Sequence, residues 1–427
     1  MSTVVYGITA STDMFVRSEF NNDDNIYACT SGGEEFMGET AISLQALSEF
    51  ENKQDLRVVI CSEFILDILN SLQNIGISIE QSFFFNHTSG QLVPCAELLA
   101  DKADVNSTLF AFYDLSYNLP CFDVTTFVVL AEIERQKQNK KFIQFVILPS
   151  RCENTTEVNV FHDKQDANWR VEKLVKPMFS CLPACIGIDQ PFSKSCVDFY
   201  KKLNVCTYPD NYFNNPRQLA GDFTILKSYV NDKIKLSNLI PPKQASAIVT
   251  DYIRHQVGDK KLITITLREY WSNAEHRNSN VNAWLDFALS LDRNEYYPLI
   301  VRDTYKVSEP LPDKYSDLPT YPEASVDLSI RLALYHKAYI NMGVDNGPLY
   351  PISYLAGARS IIFRFQTNDI PNLSDRSNEK HFFEVGKNHF FNDNPFQINA
   401  WMNDSLENIQ AQFFSLDSKI KEANSTL

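Results

Sequence analysis

Residues 340–365 read INMGVDNGPLYPISYLAGARSIIFRF. The first five have buried-strand character, the next four make an Asp-Asn-Gly-Pro turn, and beyond it the pattern stops reading as a strand. This order predicts a helix start. Gly347 frees the backbone, and Pro348 suits the first helical position because its missing N–H is one the first turn cannot use. In a parallel α/β layer the ligand crevice lies outside the carboxyl ends of the strands, so the free N–H groups of that first turn face it and suit a phosphate. A capped turn with no ligand fits the same residues.

Outward from this stretch, KLITITLRE (261–269), YYPLIVRD (296–303) and ARSIIFRF (358–365) read as strands. NSNVNAWLDFALSLDRN (278–294) reads as a helix, and SVDLSIRLALYHKAYI (325–340) as a helix running into a strand end. Short apolar runs alternating with amphipathic helices predict a doubly wound parallel sheet. Upstream, TLFAFYDL (108–115), VTTFVVLAEIERQKQNKK (124–141) and FIQFVILPS (142–150) form a second βαβ unit, and RVVICSE (57–63), EFILDILNSLQNIG (63–76) and SIEQSFFFN (78–86) form a third. A polar stretch at 87–107 sets one boundary near 103, and NLIPPKQAS (238–246), with Pro241 and Pro242, sets another. The expected domains are therefore an N-terminal α/β module at 1–103, a middle domain at 104–240 and a C-terminal domain at 241–395. In the tail, 396–427, Ile398, Trp401, Met402, Leu406, Ile409 and Phe413 fit one helical face.

The composition of the 427 residues excludes several classes. At 44% hydrophobic and 22% charged the chain is neither disordered nor a single small module. Its net charge of −14 repels polyanions, which argues against nucleic acid as a partner. The nine cysteines form no CxxC pair, and an odd number fits reduced thiols better than a disulfide framework. No basic leader and no long apolar stretch is present, so the expected location is the cytoplasm, without a transmembrane segment.

Residues 340–365 resemble the Asp-Thr-Gly-Pro segment of the bacterial heptosyltransferases and related GT-B glycosyltransferases. Asp345, Asn346, Gly347 and Pro348 stand in matching places, with Asn346 where that family has Thr. The order of strands and helices extends the resemblance over about 105–427. It implies two Rossmann-like domains facing across a cleft, the middle one on the acceptor side and the C-terminal one holding a nucleotide sugar, with a terminal helix that crosses back to the middle domain. It also implies a glycosyltransferase acting on a nucleotide-sugar donor and a glycan or other hydroxyl acceptor, in bacterial surface-polysaccharide or glycoconjugate synthesis. An epimerase or hydrolase of nucleotide sugars on the same fold, and a non-catalytic binding subunit, remain open.

Three groups of residues suit that chemistry. In the 340–348 segment these are Gly343, Asp345, Asn346, Gly347 and Pro348. In TLREYWSNAEHRNSN (266–280), Arg268 and Arg277 suit a diphosphate because a guanidinium binds phosphate oxygens bidentately, and Asn278 and Asn280 accompany them. The bland alternative is an Arg268 ion pair and a cap for the next helix. Trp271 offers a stacking surface, and Asp303 ends the strand 296–303 at the same crevice. The third group lies in FAFYDLSYNLPCFDVTTF (110–127), where Asp123 precedes a helix and Asp114 ends a strand. Heptosyltransferases carry an Asp near the start of the first helix, which gives Asp123, with Asp114 second, a general-base reading beside its reading as an N-cap. As a cap at a helix N-terminus Asp123 should have a low pKa. No Asp-x-Asp occurs in the chain, so no metal or other cofactor is expected, and cationic side chains would neutralise the diphosphate.

Overall fold

The computed structural model describes residues 2–19, 26–30, 34–100, 105–150, 164–230, 235–270, 275–364, 366 and 374–425. Trp271 lies outside them. The chain divides into two compact units, Met1–Lys102 and Ala103–Leu427.

The first unit is built on a six-stranded sheet in the order Ile42–Ser43, Ile26–Thr30, Ser2–Tyr6, Leu56–Ile60, Ser82–Asn86, Gln91–Pro94. All neighbours are parallel except the last pair. The helix Ile65–Asn74 buries Ile68, Leu69 and Leu72 in the cluster formed by Val4, Val58 and Ile60. The strands Ser2–Tyr6 and Ile26–Thr30 mix Ser, Thr, Tyr and Cys with few aliphatic residues, and so carry little strand signal in the sequence.

The second unit holds two all-parallel sheets. The first has the order Cys185–Asp189, Phe142–Leu148, Thr108–Asp114, Cys206–Tyr208. The second has the order Tyr296–Val301, Lys261–Thr266, Ile340–Val344, Ser360–Phe363, Gln397–Ala400. Parallel strands are covered on both faces, which is why they read as near-continuous apolar runs. The helix Val124–Lys137 is buried from Val124 to Ile133. A single apolar cluster runs from Val124, Phe127 and Phe145 of the first sheet's layer to Leu332, Leu349, Tyr354 and Ile362 of the second, so the two layers share one core along part of their boundary.

The tail departs from the expected helix. Gln397–Ala400 is the fifth strand of the second sheet, which places Ile398 in a sheet, and Trp401 and Met402 follow the strand end. The terminal helix, Leu406–Ser425, does not cross back to the middle domain. Its Ile409, Phe413, Leu416 and Ile420 join Trp284, Phe287 and Tyr296 in the core of the C-terminal sheet. Buried Asp417 accepts the Tyr296 and Tyr339 hydroxyls at 2.9 Å each. The helix thus adds its apolar face to the surface around Trp284 and Phe287 in its own domain. Among the described residues no helix is long and apolar enough to cross a membrane, and eight cysteines there are free thiols.

Candidate active site

In each sheet of the second unit the first strand lies inside the order, between strands that follow it in sequence. Its carboxyl end is therefore a switch point where α/β proteins bind ligands. In the C-terminal sheet the strand Lys261–Thr266 leads into Leu267–Tyr270, and its neighbour Ile340–Val344 leads into Asp345 and Asn346. These ends face residues of the middle half across a cleft with two chambers. One, of about 430 Å³, is lined by Arg268, Tyr270, Asp303 and Tyr305 together with Trp169 and Arg170 of the middle half. The other, of about 280 Å³, brings Asp123 and Phe223 together with Arg277, Asp345, Arg364, His381 and His389. Phe122, Asn346, Gly347 line both.

The turn at 345–348 does not start an α-helix. Gly347–Tyr354 is a 3-10 helix, in keeping with Pro351 in its interior, which has no N–H to donate to a carbonyl four residues back. Fewer N–H groups are on offer here than the sequence suggests. Asn346 caps the turn, its Oδ1 accepting from Leu349 N at 3.0 Å, and Pro348 has none to offer. A Cβ on Gly347 would lie 2.5 Å from Phe122 Cδ2, so the ring of the middle domain covers this glycine. The substitution of Asn for Thr noted in the sequence thus supplies a cap, and positive charge in the cleft comes from side chains.

Three of those side chains are arginines of the C-terminal half, Arg268, Arg277 and Arg364, while Arg170, Lys173 and Arg331 also line the larger chamber. Arg364 ends the strand Ser360–Phe363, stacks between Phe383 and Trp401 at 4.8 and 5.1 Å, and pairs with Asp345 Oδ2 at 2.9 Å. Arg277 meets the same carboxylate only at 4.0 Å and the Asp345 carbonyl at 3.4 Å, which leaves its guanidinium the less committed of the two. Burial raises the pKa of Asp345, but Arg364, Arg277 and His389 outweigh it and hold the group below its usual value. Arg268 Nη1 donates to Asn278 Oδ1 at 2.6 Å. Its pKa is lowered by burial and then by Arg277 beside it, so both effects disfavour its charge, and an anion between the two guanidiniums would relieve both.

Asp123 does not behave as a cap. It has helical dihedrals, and its side chain makes no capping hydrogen bond. Its pKa is raised above the usual carboxylate value, first by desolvation against the cleft walls, with the Cys121 hydrogen bond and nearby His381 acting in the opposite sense. The low pKa expected from a capping role is therefore corrected: without N–H groups to accept from, desolvation decides. The carboxylate nevertheless remains open to the chamber. Gly221 makes room for it, since a Cβ there would lie 3.3 Å from Asp123 Cγ. Buried Asn118 fixes that approach by accepting from Leu219 N and Ala220 N at 3.1 Å each. Below Asp123, Thr126 Oγ1 and Tyr350 OH, 2.7 Å apart, tie the two halves of the unit together.

Other candidates from the sequence take structural places. Asp114 is 2% exposed, and its carboxylate is occupied by Lys194 Nζ at 2.7 and 2.8 Å, Tyr212 OH at 2.7 Å and Ser116 N at 2.9 Å, so it lines neither chamber. Gly343 is a packing position, where a Cβ would fall 2.6 Å from Thr266 O. Asn278 ties the loop to Arg268 and Tyr270, and Asn280 caps the helix Val281–Ser290. Asp303 accepts from Tyr305 N at 3.3 Å while lining the larger chamber. Arg364 lay within reach of the sequence, because the strand-end rule that selects Arg268 and Asp303 selects it equally. His381, His389, Phe122 and Asn118 carry no motif. Among the described residues no three His, Cys, Asp or Glu side chains converge as metal ligands.

No protein-family model matches the chain, and no curated protein matches it. The solved structures to which it is similar include glycosyl transferases and a sugar-nucleotide epimerase. A glycosyl transferase family 9 protein of Veillonella parvula has 10% identity over 61% of this chain and 81% of its own, with a TM-score of 0.38. The E. coli ADP-heptose LPS heptosyltransferase II has 10% identity over 99% of this chain and 100% of its own, at 0.31. A putative UDP-N-acetylglucosamine 2-epimerase of Listeria monocytogenes has 12% identity over 97% and 88%, at 0.27. At such identities and scores, the chemistry of the cleft has to be argued from its own residues.

Proposed function

We propose that the chain is a glycosyltransferase of GT-B type that moves a sugar from a nucleotide-sugar donor to a hydroxyl of a glycan or similar acceptor, without a metal ion. One observation carries this reading: Asp123, its pKa raised, lines the same 280 Å³ chamber as Arg277 and Arg364. The acceptor oxygen attacks the anomeric carbon, and the bond from that carbon to the diphosphate oxygen breaks with its electron pair. Asp123 takes the acceptor proton, and a base whose pKa is closer to working pH does so more effectively. Arg277 and Arg268 receive the charge that builds on the departing diphosphate, in the place a metal ion would otherwise fill. The resemblance to heptosyltransferases and the free thiols suit surface-polysaccharide or glycoconjugate synthesis on the cytoplasmic side.

A thermal-shift series with ADP, UDP and GDP and their hexose conjugates tests it through the linkage of binding to stability. At least one conjugate is expected to raise the melting temperature, and Arg277→Ala to reduce that rise. No shift with any member, or shifts unchanged in Arg277→Ala and Arg268→Ala, would count against the assignment.

A further inference from the structure

The two chambers hold complementary halves of a site. The larger has Arg268, Asp303 and the rings of Tyr270, Tyr305 and Trp169, while the smaller has Asp123, Arg277, Arg364 and an aromatic wall of Phe223, Phe383 and Phe391. Of the three residues that line both chambers, Phe122 and Gly347 are in contact. Phe122 Cδ2, Cγ and Cβ lie 2.5, 3.0 and 3.1 Å from where a Cβ on Gly347 would be, so the phenyl group is seated on the glycine that both chambers share. Only a residue without a side chain allows that seat.

We propose that Phe122 is the partition of the cleft, a positioning residue whose ring must leave Gly347 for an elongated donor to span both chambers. The inference rests on the transferase reading above. The local structure allows the ring to move alone. The carbonyls of Cys121, Phe122 and Asp123 accept from the N–H groups of Val124, Thr125 and Thr126 at 3.0–3.1 Å, which fixes the backbone of the turn. The Phe122 side chain is half buried at the edge of the apolar cluster, and rotation about its χ1 gives up that packing but leaves the helix in place. Because Asp123 is the next residue on this fixed turn, the displaced ring stays next to the base. There it covers the reacting carbon against water while the base remains in place. With no donor bound, the ring keeps the two chambers apart.

The test places 4-fluorophenylalanine at position 122 of the full chain and follows its ¹⁹F resonance while ADP-, UDP- and GDP-linked hexoses are added, with melting temperature read in parallel. A conjugate that raises the melting temperature is expected to move the resonance by more than its linewidth. In the ligand-free chain Gly347→Ala is expected to move it too, because the new methyl displaces the ring. Phe122→Ala is expected to raise donor hydrolysis relative to transfer by about tenfold, since water then reaches the reacting carbon. A conjugate that binds while the resonance stays in place, or an unchanged ratio of hydrolysis to transfer in Phe122→Ala, overturns the partition and leaves the transferase reading standing. Absence of binding by every conjugate overturns both.

Discussion

Replacing Asp123 with Asn separates chemistry from architecture because the native side chain does so little for the fold. It caps no helix N–H, and its side chain pairs with the Cys121 thiol. Its raised pKa means that the folded chain holds this proton more tightly than the unfolded one. The linked cost to stability is absent below the unfolded carboxylate value near about 4, and is fully present above the folded pKa. At neutral pH Asp123→Asn therefore removes a small penalty, kept small because the carboxylate is open to the cleft, and the melting temperature is expected to match or slightly exceed that of the parent chain. Turnover is expected to fall by roughly 10²–10⁴-fold, or about 3–5 kcal/mol of barrier, the range for losing a general base. The ascending acid limb of the pH–rate profile, set by the raised Asp123 pKa, should vanish with it. The assay is nucleotide release in the presence of acceptor across pH, with donor affinity measured separately. Near-parental turnover, or a melting temperature several degrees lower, refutes the assignment and makes Asp123 a structural residue.

Other outcomes follow from packing and charge. Arg302 and Glu269 form a buried two-pronged pair at 2.5 and 2.9 Å just behind Arg268, so Glu269→Ala is expected to destabilise the chain by about 3–5 kcal/mol in urea titrations, the cost of stranding a buried charge. Truncation after residue 405 removes Ile409, Phe413, Leu416 and Ile420 from the C-terminal core and is expected to abolish cooperative unfolding of the second unit, whereas retention of a sharp transition would show that the sheet closes without the helix. His389 is pushed down to about 3, by burial and by Arg364, so the unfolded chain binds that proton first. Stability should fall as pH drops from about 6.5 toward about 3, and this fall should be shallower in His389→Gln when melting temperature is followed against pH.

The layered α/β plan was legible in the sequence because fully buried parallel strands have to be continuous apolar runs. Residues 108–115, 142–150, 261–269, 296–303 and 358–365 announce themselves by composition alone. Arg268, Arg277 and Asp123 were legible for a related reason, since strand ends and the loops that follow them point into the crevice in any doubly wound sheet. The tertiary structure decided what these groups do. Asp114 ends a strand as Arg268 does, yet Lys194 and Tyr212, 80 and 98 residues away in sequence, claim its carboxylate. Asp123 precedes a helix as a cap would, yet its backbone is already helical, so the desolvation imposed by the surrounding walls sets its pKa. The helical periodicity of 406–420 gave the terminal helix an apolar face, but only the tertiary structure brought that face to Trp284 and Phe287 in the C-terminal core. Periodicity is a property of neighbours along the chain and can be read from it, whereas the partner of a buried charge or an apolar face is fixed by residues that only folding brings near.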